Sequence, residues 1–233
     1  MRRIVKWLAL ALIAAVFICA GSIPFVLPVF AAYACPGCYG LEPLTPSLFA
    51  EAAMSPEDRA KLQAAVASAE AKVTGFYGSF NAPPTLLACV SLDCDRKLGG
   101  RGARAVTYSI LNRSIIRLSP NGLNETILAH EFSHAELRRR LGLKAQWMGA
   151  VPAWFDEGVA VAVSGNDSYL IPNATGAGKC MAAPAGPLPA AYSDWSRLAG
   201  QTPGLDAQAA CSVVLWMEPN GGKPGLLTAR MMP

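Results

Sequence analysis

The chain holds only two histidines, and both fall in one short run, His130-Glu131-Phe132-Ser133-His134. No other feature constrains the fold as tightly. On a helix, residues four apart share a face one turn apart. Ile127, Leu128 and Phe132 lie among them and draw that face toward a core. An uncompensated pair of polar rings there would be costly, so any fold must bring partners to this turn. Chance is a weak explanation. With two histidines and nine glutamates placed at random, this pattern arises on the order of once in 3,000 sequences.

The partner such a turn suits is a cation. Imidazoles at i and i+4 can both reach one Zn²⁺. Glu131 is rotated from His130 by about 100° and flanks that position, where a general base for an attacking water belongs. A catalytic zinc takes three protein ligands. With no third histidine in 233 residues, the remaining ligand is a carboxylate, a cysteine or something rarer. Glu157, in Val151-Pro152-Ala153-Trp154-Phe155-Asp156-Glu157-Gly158-Val159-Ala160, is the candidate. Asp156 is its rival. If Glu157 faces the metal, Asp156 points about 100° away and serves to orient a histidine ligand. Trp154 reads as packing.

Around this centre the pattern predicts mixed elements. Ser55, Pro56 and Asp58 start a helix with a capping box, and Leu62, Ala65, Val66, Ala69, Val73 and Phe76 line one face. Thr85–Val90 reads as a strand, and Ala103–Ile110 with Ser114–Leu118 as a strand pair. Residues 39–54 read as a proline-punctuated approach and 91–102 as a polar loop. The histidine helix is expected to run from Ser119-Pro120-Asn121 to Leu141, stopping at Gly142. Arg138, Arg139 and Arg140 then complement its dipole. A short helix over Ala153–Val163, a long ordered loop over 164–204 and a last helix over Asp206–Met217 complete the expectation.

Export is legible at the amino terminus. Arg2, Arg3 and Lys6 precede an apolar run from Trp7, and Ala32-Tyr33-Ala34 fits a cleavage signal before Cys35. Residues 1–34 are therefore a cleaved signal peptide or, through residues 7–34, a retained membrane anchor. Either way the basic end stays cytoplasmic and the rest is extracytoplasmic, periplasmic or secreted, with anchoring in the inner membrane as the second case. Six cysteines follow, and proximity pairs them as Cys35–Cys38, Cys89–Cys94 and Cys180–Cys211. Of the net +4, three charges are these amino-terminal residues. The balance left gives no clustered basic face for nucleic acid.

His130-Glu131-x-x-His134 followed by Trp154-Phe155-Asp156-Glu157-Gly158 resembles the gluzincin zinc metallopeptidases, and most of all the compact peptidase MA-like families with HExxH and W-x-x-E-G. Ile115–Pro120 resembles the strand that leads into the helix in that group. Asp206–Ala209, with Gly221-Gly222 and an apolar tail, resembles its closing helices. The resemblance spans about residues 55–230 and is specific over about 115–160. It implies an α+β zincin-like metalloprotease domain, a small mixed sheet packed on the HExxH helix. The expected organisation is 1–34 signal or anchor, 35–54 linker with CxxC, and 55–233 peptidase domain. It further implies an exported peptidase acting on peptide or protein substrates, with Zn²⁺ on His130, His134 and Glu157 and Glu131 as catalytic base. The chain departs from the group in lacking a histidine or a nearby tyrosine for the oxyanion around Asp206; Tyr169 and Tyr192 are substitutes by composition alone. Two rival readings are a zinc-binding pseudoenzyme and a disulfide-stapled extracytoplasmic binding module.

Overall fold

The computed structural model describes residues 26–81, 83–110, 113–147 and 151–220. It is a mixed α+β structure around a five-stranded sheet of order β1-β2-β3-β5-β4. The strands are β1 Leu41–Thr45, β2 Leu48–Glu51, β3 Thr85–Ala88, β4 Ala105–Ile110 and β5 Arg113–Leu118. β2, β3 and β5 run parallel, while β1 and β4 are antiparallel edges. The strand pair expected near 103–118 is the β4–β5 hairpin.

Side chains alternate across the sheet as strand geometry requires. Leu86, Ala88, Ile116 and Leu118 face one core, with Leu128, Ala129 and Phe132 of the histidine helix and Leu62, Ala69 and Val73 of the helix that Ser55 starts. Leu87 and Ile115 face the other side and join Val29, Ala32, Cys94 and Leu98. That second layer is built by α1, Pro28–Ala34, and α3, Leu92–Lys97.

α2, Pro56–Tyr77, starts where the capping box put it: the Asp58 amide donates to Ser55 Oγ at 3.1 Å. The histidine helix, α4, spans Glu125–Trp147 with non-helical dihedrals at Gly142, where the sequence expects it to stop. Its start differs from expectation. Pro120–Gly122 forms a separate 3-10 turn, and Asn124 Oδ1 caps α4 by accepting from the Ile127 amide at 3.0 Å. An Asx cap beside the acidic Glu125 satisfies the first turn better than Ser119. α5, Ala153–Ser164, and α7, Leu205–Met217, match the expected short and final helices; between them lies α6, Tyr192–Leu198.

Three further expectations are corrected. Residues 39–54 are not only an approach or linker: β1 and β2 lie there and complete the sheet, although Pro43 disturbs the alternation. Residues 91–102 are not all loop, because Ser91 Oγ caps α3 by accepting from the Cys94 amide at 3.1 Å. The 164–204 stretch contains α6 and a 3-10 turn at Gly176–Lys179. All three disulfides expected from proximity are present.

The signal or anchor assigned to residues 1–34 is divided. Residues 1–25 lie outside the described residues, but Pro28–Ala34 packs into the fold, with Val29 and Ala32 buried. Among the described residues, no helix is long and apolar enough to cross a membrane.

The Glu157-Gly158 pair has a packing reason. A Cβ on Gly158 would come within 2.4 Å of the Ala209 carbonyl oxygen and 2.7 Å of Val213 Cγ2. Only glycine lets α5 lie this close to α7.

Candidate metal centre

α4 and α5 pack together and aim three donor atoms at one point. His130 Nε2 lies 3.1 Å from His134 Nε2. Glu157 Oε2 lies 3.3 Å from the first and 3.7 Å from the second. Ligands held at 2.0–2.1 Å in a tetrahedron stand about 3.4 Å apart. The three separations bracket that value, so the donor set fits a zinc-sized ion. Solvent reaches it from one side: the side chains of His130 and Glu157 are 21% and 20% exposed, and that of His134 is 6%.

Asp156 takes no part in the triad. It is buried behind His134, and His134 Nδ1 donates to Asp156 Oδ1 at 2.7 Å. Because a carboxylate can only accept, Nδ1 carries a proton, which leaves Nε2 as the nitrogen that would offer its lone pair to a cation. Asp156 Oδ2 accepts from the Tyr192 hydroxyl at 2.6 Å and from Arg138 Nη2 at 3.3 Å. Burial opposes the Asp156 charge, but His134 and Arg138 outweigh it and hold the carboxyl well below the usual range.

The site favours positive charge. Burial works against a charged His134, yet Asp156 and Glu157 raise its pKa to about 9. Burial likewise opposes the Glu157 charge, and the two histidines overcome it, lowering its pKa. With no cation bound, His134 is favoured in its protonated form between Asp156 and Glu157.

Glu131 flanks the triad as its place in the helix requires. It is buried, and Thr107 of β4 donates its hydroxyl to Glu131 Oε2 at 2.6 Å. On the other side, Asp206 of α7 hydrogen-bonds Tyr169; burial and then the Glu157 charge raise the Asp206 pKa.

The structure thus brings together His130, His134, Glu157 and Glu131. Of the supporting residues, only Thr107 has no role in the sequence reading; Arg138 is expected there at the helix dipole, Tyr169 and Tyr192 as oxyanion substitutes by composition, and Asp206 in a closing helix, whereas here they bond one another or Asp156. Arg138 is the clearest correction to the arginine triplet. It reaches Asp156 and the Thr107 carbonyl instead of simply facing the helix dipole. Arg140 bonds Glu136 and the Ser79 carbonyl, pinning the turn after α2. A second grouping of metal-type residues, Glu51, Cys89 and Cys94, offers no thiolate, because its cysteines form a disulfide.

Comparison with known proteins adds no relative: no protein-family model, no curated protein and no solved structure matches this chain.

Proposed function

We propose that this chain is an exported zinc-dependent metallopeptidase with a zincin-like domain. The observation that carries the reading is the convergence of His130 Nε2, His134 Nε2 and Glu157 Oε2 at 3.1–3.7 Å beside the buried carboxylate of Glu131. His130, His134 and Glu157 would hold Zn²⁺, which when bound supplies Lewis acidity for a carbonyl and lowers the pKa of water. Glu131 accepts the proton of the attacking water and returns it to the leaving amine. Thr107 fixes which oxygen of Glu131 is free, since its hydroxyl occupies Oε2. β4 is the last strand of the sheet and carries Thr107, so its outer edge runs alongside the site. An extended peptide adding to that edge would pass within reach of Glu131. Three disulfides are compatible with an extracytoplasmic setting.

The test is Glu131→Gln. It is expected to keep one zinc per chain and to lose cleavage of a peptide library that the wild type cleaves. A fully active variant overturns the role of Glu131, and zinc-free wild type overturns the reading as a whole.

One observation favours a second reading, a zinc-binding module without hydrolysis. Both tyrosines that substitute for an oxyanion donor are bonded to carboxylates, Tyr192 to Asp156 and Tyr169 to Asp206. Stoichiometric zinc in a wild type that cleaves nothing in the library supports that reading.

A further inference from the structure

The amino-terminal apolar run and the fold overlap, and the overlap decides what the run does. α1 is part of the domain. Val29 and Ala32 are buried against Leu87, Leu98 and Ile115, on the face of the sheet away from the metal centre. Phe30 packs edge-on against Tyr108, with ring centres 5.8 Å apart, and Arg113 donates to the Tyr33 hydroxyl at 3.1 Å. Gly99 shows how closely the fold receives this helix: a Cβ there would sit 2.9 Å from Pro28 Cγ, and its φ of +84° suits glycine. Cleavage after Ala34 would strip this layer and uncover Leu87 and Ile115.

What remains of the apolar run is Trp7–Leu27, 21 residues. A membrane-spanning helix needs about 20. The two residues of that run described by the structure, Val26 and Leu27, are 70% and 48% exposed, unlike Val29 and Ala32 of α1. They open onto a cavity of about 650 Å³ whose walls include Pro28, Arg96, Lys97, Arg101 and Arg117, with no carboxylate among the lining residues. Arg117 is bonded to Asp95 and Arg96 to Asp93. Lys97 and Arg101 are exposed and carry no ion pair among the described residues.

We infer that α1 stays with the folded domain, that Trp7–Leu27 tethers the chain in the bilayer, and that Lys97 and Arg101 rest on anionic phospholipid headgroups where the tether enters. Charge complementarity and the point at which the apolar run meets the domain carry this assignment. Each cation near an anionic membrane surface adds about 1 kcal/mol, roughly five-fold in occupancy. The metal centre, on the opposite side of the sheet, then faces away from the membrane.

The test uses the full chain. Intact mass after export is expected to include residues 1–34, and the protein is expected to resist carbonate extraction from membranes. In nanodiscs, amide exchange over residues 96–104 is expected to be several-fold slower with phosphatidylglycerol present than with phosphatidylcholine alone. The double variant Lys97→Glu/Arg101→Glu should abolish that difference. A mature amino terminus beyond Trp7 overturns the tether. Equal exchange in the two lipids overturns the headgroup contact. Both outcomes are read without zinc or peptidase activity.

Discussion

Replacing Asp156 with asparagine separates what this carboxylate does for the metal from what it does for the fold. Both its oxygens accept: one from His134 Nδ1 at 2.7 Å, the other from Tyr192 at 2.6 Å and Arg138 at 3.3 Å. Asparagine keeps the shape but has one acceptor oxygen, and its amide nitrogen can only donate. If that oxygen stays on His134, Tyr192 and Arg138 face a donor. Hydrogen bonds to a charged group contribute about 1.5–3 kcal/mol each, and the Arg138 bond is long, so the metal-free variant should lose about 2–4 kcal/mol. For a chain of this size that lowers Tm by roughly 5–15 °C. Zinc affinity should fall about 10- to 100-fold, the usual effect of losing the group that orients a ligand histidine. Calorimetry with and without chelator reads the first quantity, and competition with a chromophoric chelator reads the second. Tyr192→Phe is the control: it removes one bond to Asp156 but leaves the His134 contact, so it should lower Tm by a few degrees and leave zinc affinity unchanged. An Asp156→Asn variant that binds zinc like the wild type would falsify the orienting role, whatever its Tm.

Four other perturbations follow from contacts described above. Without metal, the raised His134 pKa of about 9 contributes stability that is fully present below the unfolded value near 6.5 and is lost as pH rises toward 9; chelator-treated protein should melt at lower temperature across that window. Zinc binding at pH 7 should correspondingly release about one proton, measurable by titration calorimetry in buffers of different ionisation enthalpy; zero release would contradict a protonated His134. Gly158→Ala should cost about 1–3 kcal/mol through overpacking against Ala209 and Val213, and an unchanged Tm would show that α5 and α7 can separate freely. Asp95→Ala leaves Arg117 buried without its carboxylate and should cost about 3–5 kcal/mol by denaturant titration.

Local features carried the legible part of this molecule. The Ser55 cap, the α5 and α7 boundaries and the three disulfides rest on residues close in sequence or on simple proximity. The shared face of His130 and His134 follows from helical spacing, as does the turn of Asp156 away from Glu157, while the packing of α5 on α4 brings Glu157 to the histidines. The illegible part is long-range. α3 looks polar because Asp93, Asp95, Arg96 and Lys97 crowd six residues; Asp95 is buried only because Arg117, on a strand 22 positions later, needs it. β1 is hidden by Pro43, tolerable on an edge strand. Arg138 belongs to a run of arginines at a helix end, so a dipole role is the local reading. Only the packing of α5 on α4 supplies Asp156. Thr107 and Tyr192 reach their carboxylates across 24 and 36 positions, and no periodicity encodes such pairings.

The Cys180–Cys211 bridge ties the segment between α5 and α7 to the middle of α7. That segment delivers Tyr169 to Asp206 and Tyr192 to Asp156, one on each side of the bridged cysteine. Reduced, the chain would still hold its three metal-type donors on α4 and α5, and the segment would rest on contacts such as the packing of Leu170 and Trp195, with a larger closure entropy to overcome on folding. The bond therefore reinforces the surroundings of the donor set and not the donors themselves, and that contribution is present only where thiols are oxidised.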